Sequence, residues 1–502
     1  MLSVFPVLFP FLTGIVLVLM QRREPALRRT FSLGSLAVQI LLAVSLCRLV
    51  FLEGTFVSPL GSWTDPVGIV LVADKTASLL VLLGPIIAFT AVLGSMAEGR
   101  PGTASPFRQP LVHFLLTGIQ LGFLTGDLFN LFVAFEVMLL SSYALMTLEA
   151  EKGKVKHAFP YVLLNVLASA LFLAGCGMTY ALFGSLNFAH IAERAAAMTA
   201  TPGGSGKVGL LTALLAFVFS IKAGMFPLYY WLPKSYPTLP AAIASLYAAM
   251  MAKVGLYLLL RLLGTLMPPT QEVLYALFVA LGGATMLFGV LGAVSRNGVR
   301  EILAFHGLSQ YGFMLIGIGF FTPFGFAASL FFMIHHTVVK AGLFLTAAGI
   351  RKSCGSDHLK KTGGIWEHQP LFGLAFLLLA LSLAGLPPFS GFWAKLWILM
   401  EGFQQGYYLL IAASLVASLL TLTSMLKIWD GAFWRASPEA SAGASEWRHP
   451  ASLRAATGLL LALSLALVLF VRPVWEASSA AAAELFHPTA YVESVKAALS
   501  ER

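Results

Sequence analysis

Long apolar runs separated by short polar segments make up most of the chain. Runs of about 20 residues are long enough to cross a bilayer as helices. We predict about fourteen of them, near 2–20, 31–52, 68–96, 109–126, 128–148, 160–184, 208–233, 240–262, 271–294, 301–320, 325–350, 370–400, 407–428 and 456–473. The pattern predicts an all-α polytopic membrane protein with about 14 transmembrane helices.

Composition supports this prediction. Among 502 residues, 58% are hydrophobic and only 11% are charged, whereas a soluble protein carries about 25% charged residues. The net charge of +10 is concentrated in alternate loops. Basic residues mark cytoplasmic loops, so the alternation predicts that both termini are external. The basic loops contain Arg22, Arg23, Arg28, Arg29, Arg100, Arg108, Lys152, Lys154, Lys156, Lys234, Arg296, Arg300, Arg351, Lys352, Lys360, Lys361, Lys427, Arg435, Arg448 and Arg454.

Five charged residues fall inside predicted spans: Glu136, Lys222, Lys253, Lys340 and Lys395. Each costs roughly 2.5–3.5 kcal/mol at the bilayer centre. They must therefore be paired, hydrated or neutralised. Ionisable groups at this depth are functional by default, so we expect a polar row that moves protons or cations. Such a row also needs openings to both sides.

Glu136 and Lys222 are the first expected partners. Glu136 has no polar neighbour in its own segment, and Lys222 precedes Pro227 by five residues. A proline leaves a backbone carbonyl without its helical donor, here that of Ala223, and broken backbone in a membrane lines a wet cavity or is buried in protein. A structural ion pair that only fixes helix packing is the alternative.

A second set of ionisable residues lies in the carboxy-terminal half. His336 and Lys340 are four residues apart and share a helix face. Imidazole can accept and donate a hydrogen bond, so this face suits a proton relay. Lys395 follows Pro387 and Pro388, which interrupt the long run 370–400 as Pro227 interrupts 208–233. Secondary candidates are His335, His306 and Asp127; for His306 and for His113, an interhelical packing bond is the favoured interpretation.

Other classes of chemistry lack support in the sequence. There is no phosphate-binding glycine pattern, no haem or iron–sulfur ligand set and no metal or disulfide spacing. We expect no cofactor and no nucleic-acid partner, and a secondary transporter rather than an enzyme.

At this point the motifs resemble a known family. They are similar to the D-type subunit of the Mrp-type (multisubunit) Na+/H+ antiporters, a superfamily shared with antiporter-like subunits of respiratory complex I and membrane-bound hydrogenases. The resemblance covers nearly the whole chain and rests on Gly68–Asp74, Thr125–Phe132, Phe135–Met138, Lys222–Leu228, Trp231–Pro233, Leu383–Pro388, Ser390–Phe392 and Lys395.

The resemblance implies more than the residues do. For the fold, it implies two inverted five-helix repeats, each with a proline-broken helix. For the assembly, it implies a hetero-oligomer with other Mrp subunits in a bacterial cell membrane. It also implies a proton pathway through Glu136, Lys222, Lys253, His336, Lys340 and Lys395. The expected parts are three amino-terminal helices (1–108), a first repeat (109–262), a second repeat (271–428), and a loop, last helix and short external tail (429–502).

Two further interpretations remain open. The chain can be a proton-pumping subunit of a redox complex, whose neighbours would bind quinone or iron–sulfur clusters. It can also be a scaffold that supports an active partner. Neutralising Lys253 or Lys395 would then leave activity intact.

Overall fold

The chain is a bundle of membrane-spanning helices. The computed structural model describes residues 2–61, 68–98, 105–149, 155–268, 272–436 and 449–500. Within these residues, 12 helices of at least 18 residues are apolar enough to span a membrane, against about fourteen expected. The other two predicted crossings are a helix of 17 residues and an interrupted one. The all-α polytopic prediction is confirmed. The basic loop residues Arg100, Lys152, Lys154 and Arg448 lie outside the described ranges.

The amino-terminal region contains a β-hairpin that the sequence prediction missed. The run 68–96, predicted as one helix, starts as a strand and becomes helical only after Asp74. Its first residues alternate Ile, Val and Leu, which suits strand geometry, and they pair antiparallel from Phe56↔Ala73 to Leu60↔Ile69. The Asp74 side chain then caps the helix by accepting from the Ala77 N–H (2.8 Å). The elements are α1 (Phe5–Leu19), α2 (Pro25–Glu53), β1 (Phe56–Leu60), β2 (Ile69–Ala73) and α3 (Lys75–Ser95).

The first half of the bundle ends in a crossing that protein surrounds on every side. This crossing, Ala241–Leu266, has no lipid-facing side. It consists of α10 (Ala241–Leu246), a π-helix (Tyr247–Met251), α11 (Ala252–Arg261) and a second π-helix (Leu262–Leu266). Before it come α4 (Arg108–Leu124), α5 (Leu128–Glu149), α6 (Phe159–Phe183), α7 (Phe188–Thr199), α8 (Gly204–Ala223) and α9 (Trp231–Ser235). Lys253 is therefore carried by the most enclosed part of this half.

The second half is built around the longest helix, α14, whose 32 residues run from Pro323 to Cys354 and are surrounded by protein. Lys340 and both candidate histidines, His335 and His336, are on this helix. Around it lie α12 (Glu272–Ser295), α13 (Val299–Gly319), α15 (Ile365–His368), α16 (Pro370–Ala384), α17 (Ser390–Gln404) and α18 (Tyr408–Ile428), which continues as a π-helix (Trp429–Trp434).

The carboxy-terminal segment contains the last predicted span and a folded tail. The span predicted at 456–473 is α19 (Ala451–Leu469), and the short tail predicted after it folds into α20 (Val471–Phe486) and α21 (Thr489–Ser500). Helix α20 packs against α14 and α3, and α21 packs against β1 and α7. The Glu484 carboxylate accepts from Thr55 Oγ1 (2.9 Å) and from the Lys75 N–H (3.2 Å). The apolar runs in α20 and α21 are too short to predict a span, and the elements that these helices pack against are far away in sequence.

A buried ion pair lies next to the contacts of Glu484, at the start of α3. Arg261, at the end of α11, contacts the carboxylate of Asp74, and both side chains are almost fully buried. The Tyr257 hydroxyl accepts from Arg261 (3.0 Å) and donates to the Phe123 carbonyl (2.8 Å). This network connects the enclosed crossing to α3 and α4.

Candidate functional site

Two helices are broken where the sequence places prolines in long apolar runs. Helix α8 ends at Ala223 and α16 ends at Ala384. Each is followed by a glycine in the left-handed region, Gly224 (φ 73°) and Gly385 (φ 87°), which a residue with a Cβ adopts only at a cost. Pro227, and Pro387 with Pro388, lie in the non-helical segments that follow. Both interruptions therefore lie where the proline pattern predicted them.

Lys222 lies in the last turn before the first break and is buried (3% exposed). Its Nζ donates to the Asn165 carbonyl and to Ser169 Oγ on α6, both at 3.3 Å, and lies 4.8 Å from the centre of the Phe135 ring. Glu136 acts on this ammonium electrostatically, but these two described residues form no direct ion pair. The expected partners are neighbours, and α6 supplies the direct contacts.

Glu136 is only half-buried in the chain. It lies on α5 among side chains such as Val133 (38% exposed) and Leu140 (63% exposed) that face outward. A carboxylate at this depth is costly in lipid. We therefore expect this face of α5 to be covered by another protein.

Lys253 is held by the π-helical turn just before it. A π-helix departs from the regular i→i−4 ladder and is often found at functional sites. Here the Ala248 carbonyl accepts from Lys253 Nζ (2.9 Å) and from the Tyr311 hydroxyl (2.9 Å). Lys253 Nζ also lies 4.9 Å from the centre of the Tyr311 ring. The turn thus joins α11 to α13 around a buried ammonium group.

His336 and Lys340 share one face of α14, as their spacing predicted. Lys340 Nζ contacts the Leu303 carbonyl of α13. The His336 ring packs edge-on against Tyr311, with ring centres 5.4 Å apart, and neither of its nitrogens has a protein partner. A buried imidazole with both nitrogens unbonded is costly, so this site suits ordered water.

Lys395 contacts the second break. It lies on α17, and its Nζ donates to the Ala384 carbonyl (2.8 Å) at the end of α16. Pro388 cannot donate to this carbonyl four residues earlier, and Lys395 supplies the donor instead. His335 Nδ1 bonds Ser390 Oγ (2.8 Å) at the start of α17, beside Lys395.

Three weaker candidates have ordinary structural contacts. His306 Nε2 bonds Ser424 Oγ of α18 (2.5 Å), and His113 Nε2 bonds Ser32 Oγ of α2 (2.9 Å). These are the interhelical bonds that we favoured. Asp127 accepts from the Asn130 N–H (2.8 Å) at the start of α5, so it acts as a helix cap.

The structure arranges the predicted residues in two groups. Lys222 and Glu136 form the first. Lys253, His336, Lys340, His335, His306 and Lys395 form the second, within electrostatic range of one another. Between the groups, α11 touches the first break through backbone at Gly255.

Several polar residues that the sequence analysis did not select complete the site. Gln310 and Ser309 are fully buried on α13, and neither the Gln310 amide nor Ser309 Oγ has a protein partner. Together with His336 they are buried polar residues of α13 and α14 with unbonded atoms, which bridging waters can satisfy. Asn165 and Ser169 hold Lys222. These four residues could have been selected from the sequence, because each is an uncharged polar residue in an otherwise apolar helix. Within the described ranges, no three His, Cys, Asp or Glu residues cluster as a metal site.

Gly255 allows the close contact between α11 and the first break. A Cβ there would lie 2.5 Å from the Ala223 nitrogen, so we expect Gly255→Ala to destabilise the protein by about 1–3 kcal/mol. Gly206→Ala on α8 is the matched control, because a Cβ there meets open space and alanine favours the helix by about 0.5–1 kcal/mol. In detergent, the thermal unfolding temperature should therefore fall for Gly255→Ala and rise for Gly206→Ala. Equal shifts would contradict the contact.

Comparisons with known proteins agree with this architecture. Residues 125–421 match the family described as NADH:quinone oxidoreductase/Mrp antiporter, transmembrane region. The chain belongs to this family. It is 37% identical to the D-type subunit of the Na(+)/H(+) antiporter of Alkalihalophilus pseudofirmus, over 98% of this chain and 99% of that protein.

Two solved structures share the fold. One is the Mrp complex from Dietzia sp. (TM-score 0.88, 31% identity, 98% of each chain). The other is a membrane-bound sulfane sulfur reductase, an archaeal respiratory membrane complex (TM-score 0.88, 25% identity, 98% of this chain and 99% of that chain). The chain is thus a multi-pass membrane protein of a family that includes antiporter subunits and respiratory subunits.

Proposed function

We propose that the chain is a membrane subunit of a multisubunit Na+/H+ antiporter and that it carries protons along a row of ionisable residues at membrane depth. The row comprises Glu136, Lys222, Lys253, His336, Lys340 and Lys395. The observation that carries the proposal is the environment of the four lysines: each is less than 5% exposed, and each donates to a backbone carbonyl at membrane depth. The name of the A. pseudofirmus relative supports the sodium part.

Carbonyl contacts suit a lysine that exchanges its proton. A carbonyl oxygen stabilises the ammonium by hydrogen bonding without the full countercharge that a carboxylate would supply. Lys253 and Lys340 also lie within electrostatic range of each other, and two ammonium groups in a medium of low polarity repel strongly. A proton arriving at one lysine therefore favours release from the next. The unbonded His336 ring lies within electrostatic range of both lysines.

Arg108, Arg351 and Lys352 lie on one face of the bundle, which we call the basic face. An opening on this face offers a route toward the row. A cavity of about 340 Å³ lies beside the start of α10 and is lined by Ala97, Glu98, Arg108, Pro240, Ala348, Arg351 and Lys352. Glu98 follows α3, outside the membrane spans, and accepts from the N–H groups of Ala241 (2.8 Å) and Ala242 (3.1 Å). Burial raises the pKa of the Glu98 carboxyl above its usual value. We propose that Glu98 receives protons at this opening, where its carboxylate bonds the first N–H groups of the crossing that contains Lys253.

The orientation follows from the basic loops. We propose that the face bearing Arg108, Arg351 and Lys352 is cytoplasmic, according to the positive-inside rule, in a bacterial cell membrane, and that both termini are external. The half-buried Glu136 marks the side of α5 that other subunits of the complex cover.

The respiratory alternative rests on the sulfane sulfur reductase neighbour, whose fold matches as closely as that of the Mrp complex. Inverted vesicles containing the assembled complex distinguish the two functions. We expect NaCl alone to release protons from acidified vesicles, and choline chloride to have no such effect. Proton movement that requires an electron donor and is insensitive to sodium would overturn the antiport proposal.

A further inference from the structure

A cavity on the basic face, away from the lysine row, has the features of a lipid site. Its volume is about 730 Å³, and it lies where α16 and α19 begin. Its walls are mostly apolar, and Leu371 (81% exposed) and Leu374 (41% exposed) form an outward-facing edge. The polar lining residues are His368, Gln369, His449, Arg454 and Thr457. A polar end joined to an apolar, lipid-facing wall fits an amphiphile.

Three residues that line this cavity each have a buried polar atom without a protein partner. The atoms are Gln369 Nε2, His449 Nδ1 and Thr457 Oγ1. His449 and Thr457 are each only 1% exposed. Buried polar groups that remain unbonded lose their hydration without a replacing hydrogen bond, which is unfavourable. Three of them around one cavity indicate a bound molecule with both donors and acceptors.

The hydrogen bonds of His449 define what this molecule must offer. His449 Nε2 lies 3.1 Å from the Gly349 carbonyl and 2.7 Å from Ser353 Oγ. A carbonyl only accepts, so Nε2 carries the proton and Nδ1 is an acceptor. Burial lowers the pKa of His449 to about 4, so the ring is neutral at pH 7. Nδ1 therefore needs a donor, whereas Gln369 Nε2 and the Arg454 guanidinium need acceptors.

We propose that this cavity binds the head group of an anionic phospholipid that carries hydroxyl groups, of the phosphatidylglycerol type. Arg454 and Gln369 donate to the phosphate, and a glycerol hydroxyl donates to His449 Nδ1. The acyl chains lie along Phe372, Leu374 and Leu461. A zwitterionic choline head group lacks the hydroxyl donor and brings a cation close to Arg454. A protein segment is the competing occupant.

Two substitutions test the site without touching the lysine row. Gly458 lines the cavity, and a Cβ there meets open space, so Gly458→Phe fills the cavity without a backbone clash. Gly177→Phe on α6 is the matched control, because Gly177 is equally open and does not line the cavity. Arg454→Gln removes the charge, and Lys360→Gln removes an exposed charge elsewhere in the basic loops.

The measurement is lipid retention by the purified, intact complex. The complex in detergent is titrated with phosphatidylglycerol, phosphatidylcholine or inorganic phosphate, and bound lipid is counted by native mass spectrometry. We expect phosphatidylglycerol to be retained in preference to phosphatidylcholine. Arg454→Gln should weaken retention about fivefold, the effect of one basic residue near an anionic lipid, and Gly458→Phe should abolish it. Both controls should match the wild type.

Three results would overturn the proposal. The first is equal retention of phosphatidylglycerol by Gly458→Phe and Gly177→Phe. The second is displacement of the lipid by inorganic phosphate at equal concentration, which would identify a phosphate site. The third is loss of another subunit from the Gly458→Phe complex with lipid retention unchanged, which would identify a protein occupant.

Discussion

Lys222→Ala is expected to reduce sodium-driven proton transport by about 100-fold, the lower end of what a positioned proton-transfer group contributes. Its ammonium donates to Asn165 and Ser169 and is attracted electrostatically by the Glu136 carboxylate. Alanine offers no group that can hold a proton there. Transport is measured in inverted vesicles as sodium-induced proton release, normalised to the amount of assembled complex.

The control for this prediction lies on the same helix. Lys207, near the start of α8, is exposed, so Lys207→Ala removes the same side chain without touching the row. It should transport at the wild-type rate. Equal losses in the two variants would mean that α8 responds to substitution in general, and Lys222 would have no special part in proton transfer.

Lys253→Met is expected to abolish transport while the protein remains as stable as the wild type or becomes more stable. Methionine keeps the length and apolar stem of lysine but removes a charge that is 1% exposed. Replacing a buried charge by a packed apolar group is often neutral or stabilising. Proton transport and thermal unfolding are measured on the same preparation, with Lys361→Met, an exposed loop lysine, as the control.

This combination separates a proton carrier from a scaffold. If the chain only supported an active partner, Lys253→Met would leave transport intact, because packing is preserved. If Lys253 served packing alone, loss of transport would come with loss of stability. A proton-carrying role for Lys253 requires that Lys253→Met loses proton transport and keeps its stability.

Much of the helical fold could be predicted because lipid imposes a simple pattern. Apolar runs of fixed length define the spans, and prolines mark both interruptions, α8 to α9 and α16 to α17. The β1–β2 hairpin was missed because Ile69–Ala73 is as apolar as a helix and continues directly into α3. Helices α20 and α21 were missed because their partners, such as α14, lie more than a hundred residues earlier in the chain.

The candidate site could be predicted where it depends on charge. Lys222, Lys253, Lys340 and Lys395 stand out because lysine is rare in apolar helices. Their partners could not be predicted: the Ala248 carbonyl becomes available through a π-helical turn, and Glu98 approaches α10 across more than 140 residues of sequence. Such contacts depend on tertiary packing, which a single sequence does not specify.

The central claim is that protons use the whole row, which includes Lys222 at the first break and Lys395 at the second. The most direct test measures sodium-driven proton transport by assembled complexes that carry Lys222→Ala or Lys395→Ala, with no electron donor present. The account predicts loss of transport in both complexes. Transport at the wild-type rate in either complex would contradict it, because a continuous row cannot work without one of its members.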